Sequence, residues 1–216
     1  MGRAMPGSNE ASPPRTASPA AERLADALGD LVAAALQADA AAASDVLGAI
    51  GQRRIELERR QGVPTAMRVA IHRRDCWTCR YCRARTVAPP VLRFLSELYP
   101  EEFPYHPNWK AGQVHPAYLL ISTSLDHVEP GGRGGSWLDE GNLVTACWPC
   151  NTGKADLRLD EVGWTLLDRE AVRSGWDGLS GAVGDLWDRA GQPDIYRDWR
   201  RALAAEARPS LPESAN

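Results

Sequence analysis

The sequence predicts an α+β protein: a small strand pair stapled by four cysteines, with helical N- and C-terminal extensions. Three observations predict it. Cys79-x-x-Cys82 and Cys147-x-x-Cys150 are two pairs at the spacing of a tetrahedral thiolate site. Residues 118–128 and 142–146 are short runs of strand character, and the second run leads directly into the second pair. Apolar residues at helical intervals fill both flanks of this region.

The elements follow in order. Residues 1–21 are rich in Pro, Ser and Ala and read as a disordered tail. Residues 22–62 read as a helical arm. Leu24, Leu28, Leu31, Val32 and Leu36, then Val46, Leu47, Ile50, Ile55 and Leu57, recur at helical spacing, with Ser44 and Asp45 as caps for a second helix. The arm suits either docking on the core or homodimer formation. Gly62-Val63-Pro64 breaks it, and Thr65 is placed as the cap of a short helix through Ile71.

Residues 63–158 read as the core, with an insert at 83–117 rich in proline and aromatics. Within the insert, residues 90–99 read as a short amphipathic helix stopped by Pro100. His106 and His115 have no partner at ligand spacing and read as packing. Residues 131–135 form a turn between the strands, and Asn151 opens the following helix. Residues 159–208 read as a helical extension. A helix over 179–190 is closed by Gly191, and Pro193 opens another with Ile195, Tyr196, Trp199 and Leu203 on one face. Residues 209–216 read as a second disordered tail.

Composition bounds the class. The chain has 216 residues, 44% of them hydrophobic and 25% charged, which suits a soluble globular protein. Its apolar runs are too short to span a bilayer, and its first residues lack a signal-peptide pattern. Four of five cysteines in metal-type pairs fit a reducing compartment, so the expected location is the cytoplasm. The odd cysteine, Cys76, is expected to be a bystander.

The net charge of -3 opposes nucleic-acid binding, but its distribution does not. Residues 53–85 hold ten arginines (53, 54, 59, 60, 68, 73, 74, 80, 83 and 85) against Glu56, Glu58 and Asp75, a local excess of seven positive charges. Phosphate binding follows the local patch. A solvated helix face is the competing reading of the same arginines.

Between the cysteine pairs lies Asp126-His127-Val128-Glu129-Pro130, then Asn142. Asn151 and Lys154 follow the second pair. A histidine has an ordinary pKa of about 6.5 and can take a proton from water near neutral pH, so His127 is the candidate base. In a regular strand Asp126 and His127 would point to opposite faces unless the strand end bends.

This order of residues resembles the HNH endonuclease family, in the subclass whose ββα-metal core is framed by a cysteine quartet. The matching residues are Arg74-Asp75, Cys79-x-x-Cys82, Asp126-His127-x-x-Pro130, Gly134-Gly135, Asn142-Leu143, Cys147-x-x-Cys150-Asn151 and Lys154. The resemblance runs from about residue 69 to residue 157, with Asn151 where many members carry histidine. It implies a structural Zn2+ on Cys79, Cys82, Cys147 and Cys150. It implies Mg2+ or Mn2+ on Asp126 and Asn151, because one carboxylate and one amide oxygen suit a hard cation. It makes His127 the general base and Asn142 the residue that fixes the His127 backbone. Lys154 is either a point charge facing phosphate or a solvated helix residue. The implied activity is metal-dependent hydrolysis of DNA. The alternatives are a zinc-stapled nucleic-acid-binding module without cleavage, and an RNA-directed nuclease.

Overall fold

The structure is a computed structural model and describes residues 19–50, 62–110, 112–172 and 175–205. The two expected tails fall largely outside the described residues. So do Ile55 and Leu57 of the arm, and Arg53, Arg54, Arg59 and Arg60 of the basic stretch. The chain divides into two compact units, residues 1–51 and 52–216. No helix among the described residues is long and apolar enough to cross a membrane.

The first unit is a pair of packed helices, α1 (Pro19–Leu36) and α2 (Ala40–Ile50). The cap of α2 is Asp39, not Ser44 or Asp45. Its carboxylate accepts from the backbone N–H of Ala41 (3.1 Å) and Ala42 (2.9 Å), satisfying two donors that no earlier turn can reach. Ser44 and Asp45 lie within the helix.

The second unit begins with α3 (Thr65–Arg74), whose N-cap is Pro64; Thr65 is its first helical residue. The knuckle turn carrying Cys79 and Cys82 follows. Helix α4 (Pro89–Leu98) starts on two prolines, which lack the N–H groups a first turn leaves unpaired. It buries Val91, Leu92 and Phe94, each of which contributes about 1.5–3 kcal/mol through burial.

The first half of the expected strand at 118–128 is helical. Helix α5 (Pro116–Ile121) has Pro116 at N1, and His115 Nδ1 accepts from Ala117 N–H at 3.2 Å. Strand β1 (Thr123–His127) then pairs antiparallel with β2 (Leu143–Cys147), setting Asp126 opposite Val144 and His127 opposite Leu143. Helix α6 (Trp148–Lys154) leaves β2 directly and packs on both strands. The local order is therefore strand, strand, helix. Asn151 lies in the middle of α6 and does not open it.

Among the described residues the unit continues with α7 (Arg169–Val172), α8 (Val183–Arg189) and α9 (Arg197–Ala205). A 3-10 turn over Ser180–Ala182 precedes α8, and the helix expected at Pro193 begins only at Arg197. The segments from Trp176 onward share one core with the insert. Val69, Trp77, Val91, Phe94, Tyr118, Val183, Trp187 and Leu203 form a single cluster, so the insert is core material and not a surface loop. Gly178 explains part of that closeness. Its φ is +69°, and a Cβ there would lie 2.5 Å from the Trp77 ring.

Asp75 ties the knuckle to the strand pair. It is fully buried and meets Arg74 Nε at 2.9 Å and Arg80 at 3.2 Å, and it accepts from Thr145 N–H at 2.8 Å. Four arginines of the basic stretch donate to main-chain carbonyls, Arg80 from a buried position and the other three from part-exposed ones. Arg68 donates to Val63 O, Arg73 to Leu203 O, Arg74 to Glu140 O and Leu143 O, and Arg80 to Leu167 O. Arg83 and Arg85 are exposed.

Candidate functional site: a four-cysteine centre beside a polar cleft

Cys79 and Cys82 come from the knuckle turn, Cys147 from the end of β2 and Cys150 from the first turn of α6. Their sulfurs all lie within 4.8 Å of one another, and Cys82 Sγ is 3.7 Å from Cys147 Sγ. Tetrahedral zinc at the usual Zn–S length of about 2.3 Å needs sulfurs about 3.8 Å apart, so the quartet fits that ion. Cys76 is outside the cluster.

The sulfurs compete for protons. Contact with the Cys147 thiol drives Cys82 far below the ordinary thiol range, and the Cys147 contact also pushes Cys150 far above it. Four thiolates in one pocket repel one another unless a cation neutralises them, which is the chemistry zinc supplies.

Next to this centre opens a cleft of about 600 Å³. Asp126, His127 and Asn151 all line it, together with Trp109, Trp137 and Trp148. Asp126 and His127 therefore serve one cleft, despite being adjacent in a strand. His127 Nε2 lies 3.2 Å from the carbonyl oxygen of Trp137, and the two rings meet edge to face at 5.0 Å. A carbonyl only accepts, so the neutral imidazole carries its hydrogen on Nε2 and its lone pair on Nδ1.

Asn142 spans the loop between the strands. Its Oδ1 accepts from Glu129 N–H at 2.8 Å, and its Nδ2 donates to Glu129 O (2.9 Å) and Ser136 O (3.0 Å). Two of these three bonds fall on Glu129, two residues beyond His127. The same loop is tight at Gly135, where a Cβ would lie 2.0 Å from Glu129 O.

The chain matches no family model, no curated protein and no solved structure.

Lys154 departs from both expectations for it. It is 0% exposed, so it neither faces phosphate nor stands in solvent. Its Nζ donates to His127 O at 2.8 Å and lies 3.3 Å from Asp126 Oδ2. Tyr81 had no assigned role. Its hydroxyl donates to the same Asp126 Oδ2 at 2.6 Å. Burial, then the Asp126 charge, raises the Tyr81 phenol far above its ordinary range, so it remains a donor.

The residues fit a hard cation in part. Asp126 and Asn151 offer a carboxylate and an amide oxygen to one cleft. The Tyr81 and Lys154 contacts to Asp126 both fall on Oδ2. His106 and His115 are not among the cleft residues. His115 stacks on Phe103 at 3.9 Å, and His106 Nδ1 accepts from Asn108 N–H.

Proposed function

We propose that the chain is a metal-dependent endonuclease of HNH type that hydrolyses DNA phosphodiester bonds. One observation carries the reading. A histidine with its hydrogen fixed on Nε2 lines the same cleft as a carboxylate and an amide, beside a cysteine quartet.

In this reading His127 Nδ1 takes the proton from the attacking water, while Trp137 O holds the ring's other nitrogen. Asn142 holds the loop that carries Trp137. Lys154 fixes the His127 carbonyl. Asp126 and Asn151 would hold Mg2+ or Mn2+, which when bound neutralises charge developing on the phosphate and the leaving oxygen. Zn2+ held by Cys79, Cys82, Cys147 and Cys150 would tie the knuckle, β2 and α6 together around the cleft.

The test is incubation of supercoiled plasmid, and separately of RNA, with the zinc-loaded chain and Mg2+ or Mn2+. Nicking or linearisation of the plasmid is the expected result. Cleavage of RNA alone would reassign the substrate. Binding of DNA with no cleavage under either metal would favour the zinc-stapled binding module.

A further inference from the structure

We propose that Tyr81 and Lys154 are positioning residues, through which the cysteine centre sets the geometry of Asp126 in the cleft. The proposal rests on the reading of Asp126 as a cation ligand.

Tyr81 stands between two of the cluster cysteines in sequence, Cys79 and Cys82. Its backbone N–H donates to Cys79 Sγ at 3.4 Å, and its ring packs against Trp164 at 5.7 Å. The knuckle therefore fixes the Tyr81 backbone, and Trp164 from beyond α6 packs against its ring. From that anchor the hydroxyl reaches Asp126 Oδ2 at 2.6 Å. Lys154 approaches the same oxygen at 3.3 Å from α6, only four residues beyond Cys150.

A hydroxyl from the first cysteine pair and an ammonium from the helix that carries Cys150 thus converge on one oxygen. A carboxylate held this way cannot rotate without losing both contacts, and its other oxygen keeps a fixed direction. Outer partners of a metal-binding carboxylate act in this manner, and their loss typically costs about 10- to 100-fold in metal affinity or activity.

A purely structural role predicts something different. If Asp126 served only as counter-ion to buried Lys154, the ammonium alone would satisfy the charge, and the neutral phenol would add little. Tyr81→Phe removes one oxygen and leaves the ring and every formal charge in place. It separates the two roles.

The experiment uses the full zinc-loaded chain. Zinc content is measured by elemental analysis, Mn2+ affinity by calorimetry, and plasmid cleavage as kcat and KM. Proton NMR of the wild type is expected to show a slowly exchanging hydroxyl line that Tyr81→Phe and Asp126→Ala both remove. Tyr81→Phe is expected to keep its zinc, bind Mn2+ about 10- to 100-fold more weakly and lose kcat with KM unchanged. If it binds Mn2+ and cleaves like wild type, the proposal is overturned and the reading of Asp126 stands. Loss of zinc in Tyr81→Phe would also overturn it, by showing that the phenol serves the knuckle alone. A wild type that binds no Mn2+ and cleaves nothing would defeat the underlying reading, and the proposal with it.

Discussion

His72 makes the stability of the protein depend on pH in a calculable way. The ring is buried on α3, with Nδ1 3.0 Å from Thr145 Oγ1 and indoles on Trp77 and Trp199 at 5.1 and 6.1 Å. Burial, helped by the charge of Arg68, lowers its pKa from 6.5 to about 3, against a weaker opposing pull from Asp75. The folded pKa lies below the unfolded one, so the unfolded chain binds the extra proton. Stability is complete above pH 6.5 and falls as pH drops toward 3. Each pH unit in that window costs about 1.4 kcal/mol, giving a loss of about 3 kcal/mol by pH 4 and about 5 kcal/mol in full. Urea unfolding at pH 7 and pH 4, on wild type and His72→Gln, measures it. Zinc content is measured in both proteins at each pH, and only samples that keep the ion are compared. The wild type should lose about 3 kcal/mol more than the variant. Equal losses would refute the reasoning, because His72 would then be protonated in the folded state.

Other substitutions probe the frame of the site. Cys79→Ser should lower zinc from about one per chain to none and remove a contribution on the order of 10 kcal/mol, whereas Cys76→Ser should leave zinc content unchanged; elemental analysis decides both. Asp75→Ala leaves the buried Arg80 charge and the Thr145 N–H without their acceptor, so chemical denaturation should show a loss of about 3–5 kcal/mol. Gly135→Ala places a methyl against Glu129 O and must shift the loop that Asn142 closes. It should cost about 1–3 kcal/mol, and cleavage should fall more than stability does.

The parts of the molecule that were legible in the sequence share a cause: their signals are local. Two Cys-x-x-Cys pairs fix their own spacing, a double proline marks the start of α4, and a short apolar run before Cys147 marks β2. Residues 118–121 read wrongly because four apolar residues have no period of their own. The His115 cap and Pro116 at N1 decide the helix instead. Asp39 was missed in an Ala-rich joint, although an aspartate before a helical run is itself a cap signal.

The rest required the third dimension. A lysine in a short helix reads as solvated, and only the Asp126 carboxylate and the His127 carbonyl explain why Lys154 is buried. Tyr81 occupies a variable position of a metal motif, and its partner is 45 residues away. The main-chain bonds of the arginines at 68, 73, 74 and 80 were not legible, because charge runs do not reveal carbonyl acceptors, and Arg68 also lines the cleft. In the fold those acceptors belong to Val63, Leu203, Glu140, Leu143 and Leu167.

In the proposed mechanism His127 takes the proton, and Asp126 and Asn151 hold the cation. This division of roles is tested most directly by the plasmid-cleavage rate of His127→Ala, with Mn2+ calorimetry on the same sample. The rate should fall about 100- to 10,000-fold with Mn2+ affinity retained. A His127→Ala protein that cleaves like wild type, or one that loses Mn2+ while Asp126→Ala keeps it, would contradict the assignment.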